Sequence, residues 1–230
     1  MITVSQLRFS YANPSLNAST FGLRVDALDV PQGSSIALVG PSGSGKTTLL
    51  SLIAGTLRAE SGSISVNNHL VTDFNDSELG RFRIGNIGQV FQAFELLNYL
   101  SVTENVMLPW FISGNGDKAA VRTRAVELLC GVGLHARLNS MPEELSQGEQ
   151  QRLAVCRAML NNPPVLLADE PTGNLDQENK QNVVDLLVEQ AKNNNSTLLM
   201  VTHDESLLAR FDSVLDMRSI AKKPEGQKKL

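Results

Sequence analysis

The segment Gly40-Pro41-Ser42-Gly43-Ser44-Gly45-Lys46-Thr47 constrains this chain more than any other. It follows the apolar run Ser35-Ile36-Ala37-Leu38-Val39 and precedes a helical pattern, Thr48-Leu49-Leu50-Ser51-Leu52-Ile53-Ala54. Strand, glycine-rich loop and helix is the context in which this spacing forms a phosphate cradle. The glycines let successive N–H groups turn inward and approach an anion with no Cβ in the way. The helix that follows aims the positive end of its dipole at the same point. Lys46 supplies a cation for β- and γ-phosphates, and Thr47 a hydroxyl for Mg²⁺. A chain with this segment is expected to bind a nucleoside triphosphate.

At 230 residues there is room for one large domain, or a domain with a sizeable insertion. A net charge of −4 gives no overall basic field, which argues against nucleic acid as a partner. Cys130 and Cys156 lie far apart without metal-type spacing and read as small buried residues in a reducing compartment. No apolar run is long enough to span a bilayer, and the N-terminus lacks a basic, cleavable leader pattern, so a cytosolic location is expected. Residues 221–230 carry four lysines with Pro, Gly and Gln, and read as a basic flexible tail, with contact to an anionic membrane surface as the second option.

Along the chain, residues 2–9, 23–30 and 35–39 read as strands, the first two in an antiparallel layer beside a main sheet. A helix is expected over 46–57, a short strand between turns in 61–68, and another strand over 87–92. From 93 to about 160 the pattern turns helical, with helices over 102–110, 118–130 and 147–159. Strand signals return at 165–168, 197–201 and 214–217, with amphipathic helices at 177–191 and 205–211. Continuous apolar strands alternating with helices predict an α/β fold with a parallel sheet covered on both faces. One domain over 1–218 is expected, with an inserted helical subdomain at about 93–160 and a tail from 219.

The strand Val165-Leu166-Leu167-Ala168 ends in two carboxylates, Asp169 and Glu170. Beside a phosphate loop, Asp at that place holds Mg²⁺ and the next acid polarises a water for in-line attack. The plain alternative is a helix-start signal. His203 follows the 197–201 strand, at the carboxyl edge where ligands of such sheets bind. Its ring is suited to the γ-phosphate or the attacking water. Ser146, in Leu145-Ser146-Gln147-Gly148-Glu149, reads as the N-cap of the 147–159 helix, whose free N–H groups make a second anion site. Two half-sites in one chain make sense if two copies pair head to tail.

The order of these motifs resembles the ATP-binding cassette (ABC) ATPases over residues 1–218. In that resemblance Gly40–Thr47 is the Walker A loop and residues 165–170 the Walker B strand with its catalytic Glu170. Gln92 matches the glutamine that touches Mg²⁺ and links to a membrane partner, and residues 145–149 match the signature. Asn174-Leu175-Asp176 match the D-loop, His203 the switch histidine, and Tyr11 the ring that stacks on adenine. The implied fold is a RecA-like P-loop core with an antiparallel β-subdomain and a helical subdomain. The implied cofactors are ATP and Mg²⁺. ATP is expected to be bound by Tyr11, by Gly40, Pro41, Ser42, Gly43, Ser44, Gly45, Lys46, Thr47 and Thr48, and by Ser146, Gly148 and Asp176. Thr47, Gln92 and Asp169 are expected at the metal, and Glu170, His203 and Gln92 in hydrolysis. Gln147 and Glu149 depart from the usual Leu-Ser-Gly-Gly-Gln, and Glu149 brings a negative charge near the triphosphate that weakens closure unless it points away or pairs with Arg152.

Finer resemblance, in residues 96–106 and 171–176, is to the lipoprotein-releasing and macrolide-exporter branch. It implies a peripheral subunit on the cytoplasmic face of the inner membrane, paired with a second copy and driving a permease. An alternative is control of a membrane partner in envelope or division processes without transport. The cluster Phe91, Phe94, Leu96, Leu97, Tyr99, Leu100 and Trp110 fits either a docking groove or the core of the helical block.

Overall fold

The computed structural model describes residues 1–13, 18–173 and 175–222; Asn174 and the lysine-rich segment from 223 lie outside the described residues. In chain order the strands are β1 (Ile2–Asn13), β2 (Ala18–Val30), β3 (Ser35–Val39), β4 (Ser61–Val66), β5 (His69–Leu70), β6 (Ile87–Val90), β7 (Val165–Asp169), β8 (Thr197–Val201), β9 (Ser213–Asp216) and β10 (Ala221–Lys222). The helices are α1 (Lys46–Ile53), α2 (Asp76–Asn86), α3 (Val102–Ser113), α4 (Lys118–Gly131), α5 (Gln147–Met159), α6 (Gln177–Asn193) and α7 (Met217–Ile220).

Two five-stranded sheets result, an antiparallel one in the order β10-β2-β1-β4-β5 and a parallel one in the order β6-β7-β8-β3-β9. Side chains of the parallel sheet alternate between two cores, as a period of two requires. Ala37, Leu166, Ala168, Leu198 and Met200 face a core completed by apolar residues of α3 to α6. Ile36, Leu38, Val165, Leu167, Leu199 and Val201 face the other, completed by α1 and the antiparallel sheet. This is why those strands read as unbroken apolar runs. Each fully buried Val, Leu or Ile contributes about 1.5–3 kcal/mol to holding the layers together.

Register then places the chemistry. Val201 lies opposite both Leu38 and Asp169, so β3, β7 and β8 end at one level. The glycine loop, Glu170 and His203 all leave the sheet at that edge.

Several expectations need correction. The first helix stops at Ile53, not 57, because the chain turns back and Thr56 N–H bonds to the Ser51 carbonyl at 2.9 Å. Helix α2 was not legible from periodicity, because only Leu79 and Phe82 are buried on it. It is set by a capping box, Asn75 and Glu78, whose spacing is present in the sequence. Residues 205–210 form a 3₁₀ rather than an α-helix, and Met217 opens α7 instead of ending a strand. Cys156 is buried as expected, but Cys130 is exposed, on the solvent side of α4. Burial in apolar surroundings pushes the Cys156 thiol up to about 12, so it packs as an inert small residue.

Candidate functional site

The loop between β3 and α1 closes over one wall of a cavity of about 520 Å³, lined by Tyr11, Phe21, Gly40, Ser42, Gly43, Gly45, Lys46, Thr47, Thr48, Glu170 and His203. Gly45 precedes α1 at φ 95°, a left-handed conformation that glycine adopts without a steric penalty, and no side chain caps the helix. The first N–H groups of α1 are thereby left for an anion. Lys46 is buried, and its Nζ donates to the carbonyls of Gly40 at 2.9 Å and Pro41 at 3.2 Å. The Ser44 hydroxyl is buried without a partner. A triphosphate fits both observations, since it offers acceptors to the orphaned hydroxyl and to the lysine.

Glu170 and Asp169 stand at the end of β7. Burial pushes the Asp169 carboxyl up; a hydrogen bond from Thr47 opposes that rise, the charge of Glu170 adds to it and that of Lys46 resists it. A half-buried carboxylate bonded to a threonine hydroxyl is the donor set of a hard divalent cation. Glu170 has φ 45°, a left-handed backbone rare outside glycine. Two hydrogen bonds hold it there, Glu170 N–H to the Val201 carbonyl and Gly173 N–H to the Glu170 carbonyl, both 3.1 Å. Strain of this kind gathers where a side chain has to be aimed. Nδ1 of His203 lies 3.3 Å from Glu170 Oε2.

Tyr11 packs edge-on to Phe9 with ring centres 4.8 Å apart and tilted against Phe21 at 6.0 Å, which makes an aromatic wall beside the loop. Phe21 was missed in the sequence. Its position opposite Tyr11 across the β1–β2 pair is the register that brings it there.

Four expected residues stand apart from this cavity. Gln92 does not line it, but its amide nitrogen lies against Gly173, three residues beyond Glu170; a Cβ on Gly173 would meet it at 3.2 Å. Asp176 caps α6, accepting from Asn179 N–H at 2.9 Å and Asn179 Nδ2 at 2.7 Å. Ser146 caps α5, and Gly148 is buried in its first turn. Glu149 belongs to that cap: its Oε2 accepts from Ser146 N–H at 2.8 Å and from Ser146 Oγ at 2.9 Å. Its second oxygen lies 3.5 Å from Arg137, so of the two arrangements open for Glu149 the pairing with Arg152 is not the one formed. The backbone and side chain of Ser146 and the charge of Arg137 hold its carboxyl below the usual range, against the cost of burial.

A second cavity, of about 320 Å³, lies between the sheet edge and the helical block, with Ile84, Ile87, Phe91, Leu108, Pro109 and Ile112 as its apolar lining. It divides the apolar cluster that the sequence left open. Phe91 lines the groove, Leu96 and Trp110 pack on the core, and Tyr99 is 76% exposed.

The sequence profile described as ABC transporter matches residues 23–173. The chain belongs to the ABC transporter family. A "Lipoprotein-releasing system ATP-binding protein LolD" of Bacteroides thetaiotaomicron is 42% identical over 190 residues, covering 83% of this chain and 87% of that one. Another protein of the same description, from Xanthomonas campestris pv. campestris, is 40% identical over 219 residues, covering 94% and 90%. Among solved structures, the dimeric post-hydrolysis state of the ATP-binding cassette MJ0796 bound to ADP and Pi superposes with a TM-score of 0.84 at 32% identity, covering 99% of this chain and all of that one. Membership explains the pairing of a P-loop with a distant helix cap in one chain, and the mixed α/β fold is that of an ABC ATPase cassette. This chain is therefore an ATP-binding ABC subunit.

Proposed function

We propose that this chain hydrolyses ATP as one of two copies that sandwich two nucleotides, and that the pair drives a permease that extracts or exports lipid-anchored substrates. The observation that carries the reading is the split of the site. One protomer has the loop, Lys46 and Glu170 around a single cavity, while Ser146 and Gly148 lie outside it at a capped helix start. A head-to-tail copy brings the second set onto the first.

In this reading the adenine stacks on Tyr11 and the phosphates lie on N–H groups of residues 40–48. Lys46 exchanges its two carbonyl partners for phosphate oxygens. Mg²⁺, held by Thr47, Asp169 and Gln92, would supply charge neutralisation at the β- and γ-phosphates. Glu170 accepts the proton of the attacking water, and His203 orients both the carboxylate and the γ-phosphate. ATP favours the closed pair by its differential affinity for that state, and phosphate loss releases it.

No helix among the described residues is long and apolar enough to cross a membrane. Peripheral attachment, on the cytoplasmic face, then falls to the apolar groove beside Phe91, which suits a cytoplasmic helix of the permease. Permeases of this branch would select the substrate.

The test is Glu170→Gln with ATP and Mg²⁺ on gel filtration. A stable dimer is expected; a monomer that still turns over ATP overturns the sandwich.

A further inference from the structure

Arg157 is the one buried cation of α5, 8% exposed. Among the described residues its guanidinium pairs with no carboxylate at contact distance. Instead it forks onto two backbone carbonyls, with Nη2 donating to Phe94 at 2.6 Å and Nη1 to Glu95 at 2.5 Å. Burial lowers its pKa and the Glu95 charge works the other way, so the group stays an arginine cation at any ordinary pH.

The two carbonyls belong to an unusual turn. Phe94 has φ 59° and Glu95 φ 50°, consecutive left-handed residues with side chains. That backbone is disfavoured for both, and the turn's own bonds are Phe94 N–H to Phe91 O at 3.3 Å and Glu95 N–H to Ala93 O at 2.6 Å. Two charge-assisted bonds from a rigid, buried fork are what offset the strain. The turn directly follows Gln92, whose amide rests beside Gly173. Arg157 and Ser146 are also two ends of one helix, about 20 Å long at 1.5 Å per residue over its 13 residues.

We propose that Arg157 is a positioning residue for hydrolysis: it clamps the 93–95 turn in its left-handed form and so fixes Gln92 beside the Glu170–Gly173 turn. Because it rides on the helix that Ser146 caps, it ties the half-site offered to a second copy to the position of Gln92 in its own chain. Arg157 and Glu95 also line the apolar groove, so an occupant of that groove bears on the same clamp. The inference rests on the assignment of Gln92 to the nucleotide site made above.

The test uses the full chain. Arg157→Lys keeps the charge but cannot fork onto both carbonyls, and Arg157→Gln removes the charge. In nucleotide-free protein that is folded by circular dichroism, amide hydrogen exchange over 93–97 is expected to speed up about tenfold, the loss of one charge-assisted bond. ATP affinity should stay within about twofold while turnover falls about tenfold, the same bond now lost from the positioned state. Adding Glu95→Asn, whose side chain tolerates the left-handed region best after glycine, should restore part of both losses. Unchanged exchange and turnover in a folded Arg157→Lys protein overturns the proposal, as does failure of Glu95→Asn to rescue either.

Gln92→Ala separates this from the site assignment. If Gln92→Ala alone leaves turnover intact, the role of Gln92 fails while the exchange result still judges the clamp. If it lowers turnover, the double variant with Arg157→Lys should be no worse than Gln92→Ala alone, and additive losses overturn the coupling. Should neither Arg157 variant fold, Glu95→Val strains the turn with Arg157 in place. It must then speed exchange over 93–97 and slow turnover, or the proposal falls.

Discussion

Nδ1 of His203 stands 3.3 Å from Oε2 of Glu170 and so joins the ends of β8 and β7 at the mouth of the nucleotide cavity. The contact orients the carboxylate that the strained backbone of residue 170 has already turned toward the cavity. On the roles proposed above, His203→Ala removes an orienting partner but leaves the base, whereas Glu170→Gln removes the base and keeps the shape. Turnover is therefore expected to fall about 10- to 100-fold in His203→Ala and by a further factor in Glu170→Gln, in line with the roughly 100- to 10,000-fold contribution of general bases. Nucleotide affinity should change by less than about threefold in both. Steady-state hydrolysis beside equilibrium binding of a fluorescent ATP analogue measures the two quantities separately, and equal losses in affinity would show that neither residue acts on the transition state.

Gly88 in β6 answers to a different constraint. A Cβ there would meet the Ala158 carbonyl oxygen at 2.4 Å, Leu166 Cδ2 at 2.7 Å and Pro163 at 2.9 Å, so α5 packs directly on the strand backbone. Backbone cannot rotate out of the way as a side chain can. Gly88→Ala is expected to destabilise the fold by about 1–3 kcal/mol, the usual range for overpacking. Urea unfolding with an unchanged slope and a lower midpoint checks this, and the same variant should shift Gln92, four residues on, enough to slow hydrolysis.

What the sequence makes legible here follows a physical division. The phosphate loop, the Asp169–Glu170 pair and His203 are readable because each sits at the end of a short apolar strand. Strand, turn and charge are local signals, and a parallel sheet aligns their ends automatically. Helix α5 is read to its exact bounds, 147–159, because Ser146 caps it and its apolar spacing is regular. Phe21 is not legible because it comes to the cavity only through the pairing of β1 with β2. Arg137 is not legible as the partner of Glu149 because the two come together through the loop between α4 and α5, whereas Arg152 is simply the nearer cation in sequence. The Arg157 clamp joins residues more than sixty apart by bonds to main-chain oxygens, which carry no side-chain signature.

Acid should loosen helix α3 in a predictable way. The Ser101 backbone N–H, and then its hydroxyl, hold the Glu104 carboxyl below its usual range, with smaller help from Arg122 and Lys118 against desolvation. A depressed folded value means the folded state binds fewer protons. The stabilisation is then fully present above the unfolded value of about 4.3 and is lost as pH falls through the folded one. Trp110, the only tryptophan, lies on the same helix and reports its packing. Glu104→Gln is expected to lower the thermal midpoint at pH 7, and its gap from the parent protein to shrink as pH falls below about 4.3, followed by Trp110 fluorescence. A gap that persists undiminished at pH 3 would show that the charge is not what the cap uses.

Ser146 caps α5 and is proposed to contact phosphate as well, and one substitution can separate the two roles. In the folded protomer its hydroxyl caps α5, accepting from Glu149 N–H at 3.3 Å and donating to the Glu149 carboxylate at 2.9 Å. In the proposed sandwich the same hydroxyl would meet the γ-phosphate bound by the other copy. Ser146→Asp keeps a good N-cap, since Asp ranks with Ser at that position, but places a carboxylate where the phosphate arrives. Ser146→Ala loses the cap, at about 1 kcal/mol, and loses the phosphate contact as well. In a Glu170→Gln background, both variants are therefore expected to stay monomeric with ATP. Only Ser146→Ala should show a cap-sized loss of stability, because the new carboxylate replaces the old acceptor but also stands beside Glu149. That neighbouring charge predicts a modest loss for Ser146→Asp at low salt that shrinks as ionic strength rises. Thermal unfolding across a salt series, run beside gel filtration with ATP, reads both effects on the same preparations. A Ser146→Asp protein that still dimerises with ATP would place the second half-site somewhere other than the start of α5.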